Sequence, residues 1–287
     1  MLCTIGDLIE DVVVWLSAEP NLGTDTDAII QRTRGGSAAN VAMFAALTGT
    51  ESRFIGQVGN DALGQQLCAA LQQVGVDVCS VAAGRTGSIV VLVQPNGERS
   101  FLTDRGVASQ LSHVDAGLMS DVGILHVPSY SLVTEPLAAT SLRYIKEAQQ
   151  RGAIISLDAS STSVLAHFGV EKYVSLVKSL EPQVFLCNEA EAGLLGVGVK
   201  HGMPGAALTV VKRGTHSTLA IAHDNEVTEV AVEPVANIVD TTGAGDAFAA
   251  GFLPAFASTH DVASAISRGH AVAARVLRSP GATLDVA

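Results

Sequence analysis

The chain reads as an α/β protein with a mostly parallel sheet covered by helices on both faces. Three observations carry that reading. Short apolar runs alternate with helical stretches along most of the chain, the order that βαβ units produce. Hydrophobic residues make up 48% of the 287 positions but aromatics only 4%, so alanine, valine and leucine must fill the interior, as in strands buried on both faces. Near the C-terminus a glycine-rich turn, Gly243-Ala244-Gly245, opens an apolar helix; unpaired N–H groups at such a helix start form an anion site.

The elements follow in order. Leu2–Ile5 predicts a strand, Ala38–Leu47 a helix, Arg53–Gln57 a strand and Ala62–Val74 a helix. After a more irregular middle, Gly123–Val127 predicts a strand, Pro136–Gln150 a helix, and Ala153–Leu157 and Gln183–Leu186 two further strands. Leu208–Val211, Thr218–Ala222 and Val227–Val232 form a later group of strands, and helices over Gly245–Ala257 and Asp261–Leu277 close the chain. One region breaks the alternation. Ser88–Gln94 and Arg99–Thr103 flank Pro95-Asn96-Gly97-Glu98, a hairpin signal. With Val12–Trp15 and the stretch through Arg32 it forms either a small separate sheet or an edge hairpin of the main one.

Composition excludes several classes. Seventeen basic and 28 acidic residues give a net charge of −11 with no basic block, so neither nucleic acid nor an anionic membrane is an expected partner. Cys3, Cys68, Cys79 and Cys187 contain no Cys-x-x-Cys pair, and the eight histidines no His-Glu-x-x-His; free thiols in a reducing cytoplasm are expected, and a zinc enzyme is not. The N-terminus carries Asp7, Glu10 and Asp11 without a basic run, and the longest apolar stretch, Ala247 to Ala257, is too short for a bilayer. A cytoplasmic protein is the expectation. No Gly-x-x-x-x-Gly-Lys-Ser/Thr string occurs, and Gly196-Val197-Gly198 lacks the completion and placement of a dinucleotide fingerprint.

The chemistry concentrates in Asp240-Thr241-Thr242-Gly243-Ala244-Gly245-Asp246-Ala247-Phe248. Gly243, Ala244 and Gly245 supply backbone donors for a phosphate, and Asp246 stands on the first turn beside them. A carboxylate next to phosphate-binding N–H groups is equipment for phosphoryl transfer to a hydroxyl. Asn188 followed by Glu191 is a capping box by its spacing.

That nine-residue string resembles the C-terminal signature of the ribokinase-like carbohydrate kinases, the PfkB family. Three more segments resemble it in the same order: Gly35-Gly36-Ser37-Ala38-Ala39-Asn40, Gly56-Gln57-Val58-Gly59-Asn60-Asp61-Ala62-Leu63-Gly64, and Asn188-Glu189-Ala190-Glu191. The resemblance implies a ribokinase-like three-layer fold in one domain over 1–287. A small β-sheet lid, about 12–34 and 85–105, would cover the sugar and serve as a homodimer contact. It implies ATP and Mg²⁺, and a small sugar or polyol as the acceptor.

Residue roles follow from the resemblance. Asp246 is the base. Asp11, with the family's spacing from Gly6, binds the sugar, with Asp7 and Glu10 as competing acids. Asn40 offers a donor and an acceptor to a polyol, and Gly35 and Gly36 bring the backbone close. Arg105 reaches the substrate from the lid or stays solvated. Glu191, with Asn188, organises waters around Mg²⁺. Lys212 and Gly214 resemble the nucleotide-side loop, although Ser217 replaces its second glycine; His270 stands where relatives place asparagine near adenine, and Ser37 where ribokinases carry lysine. Asp240 and Thr242, with a loop near Gly281, hold either a monovalent cation such as K⁺ or a hydrogen-bonded turn. The alternatives are a nucleoside kinase on the same fold, for which Trp15, Phe101 and Tyr130 are the aromatic candidates, and a non-catalytic sugar-sensing relative.

Overall fold

The computed structural model describes residues 1–96, 98–198, 201–279 and 281–284. In chain order the strands are β1 (Leu2–Ile5), β2 (Ile9–Leu16), β3 (Ala28–Gly35), β4 (Ser52–Val58), β5 (Asp77–Ala82), β6 (Thr86–Val93), β7 (Arg99–Gly106), β8 (Ile124–Pro128), β9 (Ile154–Asp158), β10 (Val184–Asn188), β11 (Leu208–Lys212), β12 (Thr218–Ala222) and β13 (Val227–Val230). The helices are α1 (Ser37–Leu47), α2 (Ala62–Gln73), α3 (Leu137–Gln150), α4 (Thr162–Phe168), α5 (Val170–Leu180), α6 (Glu189–Leu195), α7 (Ala244–Thr259) and α8 (Val262–Val276).

Nine strands form the main sheet in the order β13-β12-β11-β10-β9-β8-β1-β4-β5. Every pair from β11 to β5 is parallel, and β12 and β13 add an antiparallel edge. Successive side chains of a strand point to opposite faces, and here both directions are apolar. Phe54 and Leu186 face one core, which α1, α2, α7 and α8 cover; Ile55, Phe185 and Cys187 face the other, under α3, α4, α5 and α6. The order reverses between β1, which leads outward to β4 and β5, and β8, which leads the other way. Ligand crevices of open parallel sheets lie beyond the carboxyl ends at such a reversal.

The remaining strands make a separate sheet, β3-β2-β6-β7, so the hairpin is not an edge of the main sheet. Its two hairpins come from distant parts of the chain and meet along the parallel pair β2 and β6. Gln94 N–H donates to the Glu98 carbonyl at 2.8 Å; Gly97, the turn residue of the sequence signal, lies outside the described residues.

Most expected elements appear within a residue or two. Three lie in stretches the sequence reading left unassigned. Strand β5 is a partly exposed edge with the mixed run Asp-Val-Cys-Ser-Val-Ala, too polar for a buried strand and too irregular for strict alternation. Helices α4 and α5 are short and separated only by Gly169 (φ 98°). Among the described residues no helix is long and apolar enough to cross a membrane.

Candidate active site

The N-termini of α1 and α7 converge on one carboxylate. Ser37 Oγ donates to Asp246 Oδ1 at 2.7 Å, and Asn40 Nδ2 donates to Oδ2 at 2.7 Å. Ser37 is the first residue of α1 and Asn40 stands one turn further on the same side. Burial pushes the Asp246 carboxyl up to about 6, although the bonds from Ser37 and Asn40 act in the opposite direction.

The turn before α7 shapes a narrow cradle at the helix N-terminus. Gly243 is left-handed (φ 78°), and a Cβ there would lie 2.7 Å from the Ala282 side chain, so only glycine fits without displacement. Phe44 of α1, fully buried, supports it from below; its truncation to alanine would cost about 3–5 kcal/mol. Ala244 N–H is tied to the Thr241 carbonyl at 3.2 Å. The N–H groups of Gly245 and Asp246 find no acceptor among the described residues. A Cβ on Gly245 would meet Lys212 Nζ at 3.4 Å, among the described residues the only heavy atom within 4 Å outside its own helix and chain neighbours. Two open donors, the helix dipole and an ammonium thus share one small space.

Lys212 ends β11 and donates to Asp158 Oδ2 at 2.8 Å, at the carboxyl end of β9. Burial pulls the ammonium down, and Asp158 with Glu191 more than offsets it. Glu191 is buried; Asn188 accepts from Glu191 N–H at 2.9 Å while Glu191 Oε2 accepts from Asn188 N–H at 2.8 Å. The capping box therefore forms, and it holds a carboxylate whose pKa burial and then Asp158 raise. Asp158 and Lys212 both act on Asp246, which places this cluster and the Asp246 cluster in one electrostatic site. Two acids around Lys212 beside the cradle suit a magnesium ion held through water.

On the other side of Asp246 the three acids after β1 separate. Asp7 pairs with Arg105, whose guanidinium also lies 4.7 Å from the Tyr130 ring centre. Glu10 pairs with Arg32 at 2.7 Å. The Asp11 carboxylate accepts no hydrogen bond among the described residues. Its carboxyl lies against Gly35, where a Cβ would be 2.3 Å from Oδ1; a Cβ on Gly36 (φ 104°) would be 2.1 Å from the Asp7 carbonyl oxygen. Burial raises the Asp11 carboxyl to about 6, against the charge of Arg34.

Arg34 is a site residue that sequence reasoning missed. Its Nη1 donates to Asn40 Oδ1 at 2.5 Å, and its Nη2 to the Ala282 carbonyl at 3.3 Å. Burial lowers its pKa to about 10 while Asp246 and Asp11 act to raise it. In the string Arg32-Thr33-Arg34-Gly35 it looks like a solvated charge. Asp158 was missed too, although its position at the carboxyl end of a central parallel strand was a usable signal.

Gly214 (φ 60°) sits in the β11–β12 turn with open space at its Cβ position. His270 on α8 shares a hydrogen bond with Thr218 Oγ1 at 2.8 Å and packs on Phe248. Asp240 Oδ1 accepts from Thr242 N–H (2.9 Å), Thr242 Oγ1 (2.8 Å) and Arg99 Nη2 (3.1 Å), and Oδ2 from Gly281 N–H (3.1 Å). Burial works to raise the Asp240 carboxyl and these donors more than offset it.

Comparison with known proteins identifies the family. The family model for pfkB family carbohydrate kinases matches residues 1–287. The fructosamine kinase FrlD of Bacillus subtilis is 31% identical over 261 residues, covering 86% of this chain and 85% of its own. The fructokinase of Salmonella typhimurium is 31% identical over 264 residues, covering 85% and 84%. Among solved structures, a putative ribokinase II from E. coli in complex with ATP and Mg²⁺ superposes with a TM-score of 0.82 at 24% identity, over 98% of this chain and 94% of that one. A family match over residues 1–287, with relatives 31% identical over more than four fifths of the chain, places the protein in the PfkB family of ATP-dependent carbohydrate kinases.

Proposed function

We propose that the chain transfers the γ-phosphate of ATP to a hydroxyl of a small sugar or sugar derivative, with Asp246 as the base. The observation that carries this reading is the placement of Asp246: a carboxyl with a pKa near 6, on the first turn of α7, beside the open N–H groups and Lys212. The hydroxyl proton passes to Asp246 as the acceptor oxygen attacks. The N–H groups of Gly245 and Asp246 and the Lys212 ammonium stabilise charge on the transferring group, where such reactions gain most. Asn40 orients the carboxylate, and Asp11 accepts from sugar hydroxyls. Glu191 and Asp158 would hold the waters of Mg²⁺, which when bound would supply charge neutralisation at the phosphates. Lys212 and Gly214 border the nucleotide, with His270 toward its base.

The small sheet is the lid. The face that carries Asp11 also carries Val13, Trp15, Val91 and Phe101, by strand alternation and register. The opposite face presents Val12, Val14, Val90 and Leu92 with the exposed Ile30 and Leu102, and a second copy of the chain would cover it as a homodimer. Trp15 and Phe101 on the inner face support a second reading, a nucleoside as acceptor. K⁺ beside Asp240 would stand against the Arg99 guanidinium, on a carboxylate whose two oxygens already accept protein donors; the residues do not fit it, and no step is assigned to it.

The test is ADP release with Mg²⁺ and ATP over a panel of sugars, sugar acids and nucleosides. Fructose and a fructosamine lead the panel because relatives act on them by name. Phosphorylation of a sugar that Asp246→Asn abolishes is expected; turnover of adenosine alone would favour the second reading, and turnover surviving in Asp246→Asn would remove the base.

A further inference from the structure

Strand β7 is held at both of its ends by arginines that reach into the site. Near its C-terminal end Arg105 pairs with Asp7 behind β1. At its first residue Arg99 places Nη2 3.1 Å from Asp240 Oδ1 and Nη1 3.1 Å from Thr242 Oγ1. Asp240 and Thr242 are the turn that leads directly into Gly243-Ala244-Gly245, and the same carboxylate fixes the C-terminal loop through Gly281 N–H. The side chain of Asp240 is 12% exposed and that of Arg99 36% exposed. A partly buried carboxylate without a positive partner would be unfavourable there, and Arg99 is the cation that meets it. The pair links residues 141 positions apart, one at the start of β7 in the small sheet and one in the turn before α7.

We propose that Arg99 is a positioning residue that couples the lid to the phosphate cradle: when β7 is down, its guanidinium fixes the Asp240–Thr242 turn and thereby aims the cradle N–H groups. The role that the family resemblance gives to a bound monovalent cation belongs in this chain to a side chain of the lid. Coupling of this kind is reciprocal. A nucleotide in the cradle therefore holds the lid down, whether or not an acceptor is present. The inference rests on the reading of the α7 N-terminus as the phosphate cradle.

The experiment uses the full chain and AMP-PNP with Mg²⁺, and needs no knowledge of the acceptor. Chymotrypsin cleavage after Phe101 or Leu102 reports lid opening. Saturating AMP-PNP should slow that cleavage in the wild type about 5-fold or more, the lower end of ordinary coupling, equally in K⁺ and in tetramethylammonium at constant ionic strength. In Arg99→Gln the protection should fall below about 2-fold with the affinity for AMP-PNP weakened, and Arg99→Lys should restore part of it. The thermal midpoint of Arg99→Gln should gain a dependence on K⁺ that the wild type lacks. Equal protection in Arg99→Gln, or wild-type protection that appears only in K⁺, would overturn the proposal. Failure of the wild type to bind AMP-PNP would overturn the cradle reading instead, and the proposal with it. If Arg99→Gln fails to fold, Arg99→Lys and Asp240→Asn carry the same comparison.

Discussion

Asn40 donates its amide to Asp246 across 206 positions of sequence, at 2.7 Å. The side chain of one helix thereby sets the direction in which the carboxylate of another presents its free lone pairs. The orientation of the amide is itself fixed, because its oxygen accepts from Arg34 at 2.5 Å.

Asp246→Asn should leave nucleotide binding within a few-fold and slow turnover by roughly two to four orders of magnitude, the range for a positioned base. Steady-state kinetics with calorimetry of AMP-PNP separates the two effects. Near-wild-type kcat in the pure variant would rule out Asp246.

The same substitution should stabilise the protein at neutral pH. Asp246 has a folded pKa near 6 against an ordinary 3.8. The folded chain therefore keeps a proton that the unfolded chain has released, so this contribution is complete below about 3.8 and is lost as pH rises through 6. Asparagine removes the loss. Thermal melts should show a gain of about 1–2 kcal/mol at pH 8, discounted from ~1.4 kcal/mol per pKa unit for partial solvent access, shrinking to nothing near pH 4.

Catalysis should run in the opposite direction with pH. Asp246 and Asp11 both titrate near 6, and both act ionised. kcat/KM should fall below pH 6 with a slope steeper than one proton, whereas kcat at saturating acceptor follows Asp246 alone. In Asp11→Asn the slope of kcat/KM should return to one, and acceptor affinity should weaken far more than AMP-PNP affinity. An unchanged profile would show that Asp11 plays no part in acceptor binding.

Arg34→Met should lower kcat by about one to two orders of magnitude and raise the midpoint of the kcat profile, since a positive charge beside Asp246 is lost and the Asn40 amide is free to turn. Arg34→Lys should keep the midpoint closer to wild type while leaving kcat reduced, because a lysine does not reproduce the fork. A uniform loss of both variants in proportion to their melting temperatures would mean that Arg34 only supports the fold.

Leu102→Asp, on the outer face of the lid, should shift sedimentation from dimer to monomer. A wild type that sediments as a monomer would refute the lid contact.

Much of the candidate site is legible in the sequence, because its glycine turns and N-terminal caps are local. The Gly-Ala-Gly-Asp turn, Gly35-Gly36 and the Asn188–Glu191 box each announce themselves within a few residues, and the parallel strands declared themselves as apolar runs. Arg34, Asp158 and Arg99 did not. Each acts through a partner far away in the chain: Asn40 with Asp246, Lys212, and Asp240 with Thr242. A charged residue with a distant partner carries no periodic or local signature. The same holds for the three acids Asp7, Glu10 and Asp11, of which Asp7 and Glu10 each pair with an arginine. The edge strand β5 and the helices α4 and α5 escaped because short, half-exposed elements lack a long pattern.

The seam between β2 and β6 joins residues 10–15 to residues 88–93. Neither hairpin alone makes the four-stranded cover, and the loop that must close between them spans α1, β4, α2 and β5. During synthesis the emerging chain cannot complete this cover until most of its first hundred residues have left the ribosome and their first β-α units have docked, because non-local pairing follows loop closure. Cover and floor are thus products of one folding event, and a shortened chain that begins after β3 would lose two of the four strands of the cover along with Asp11.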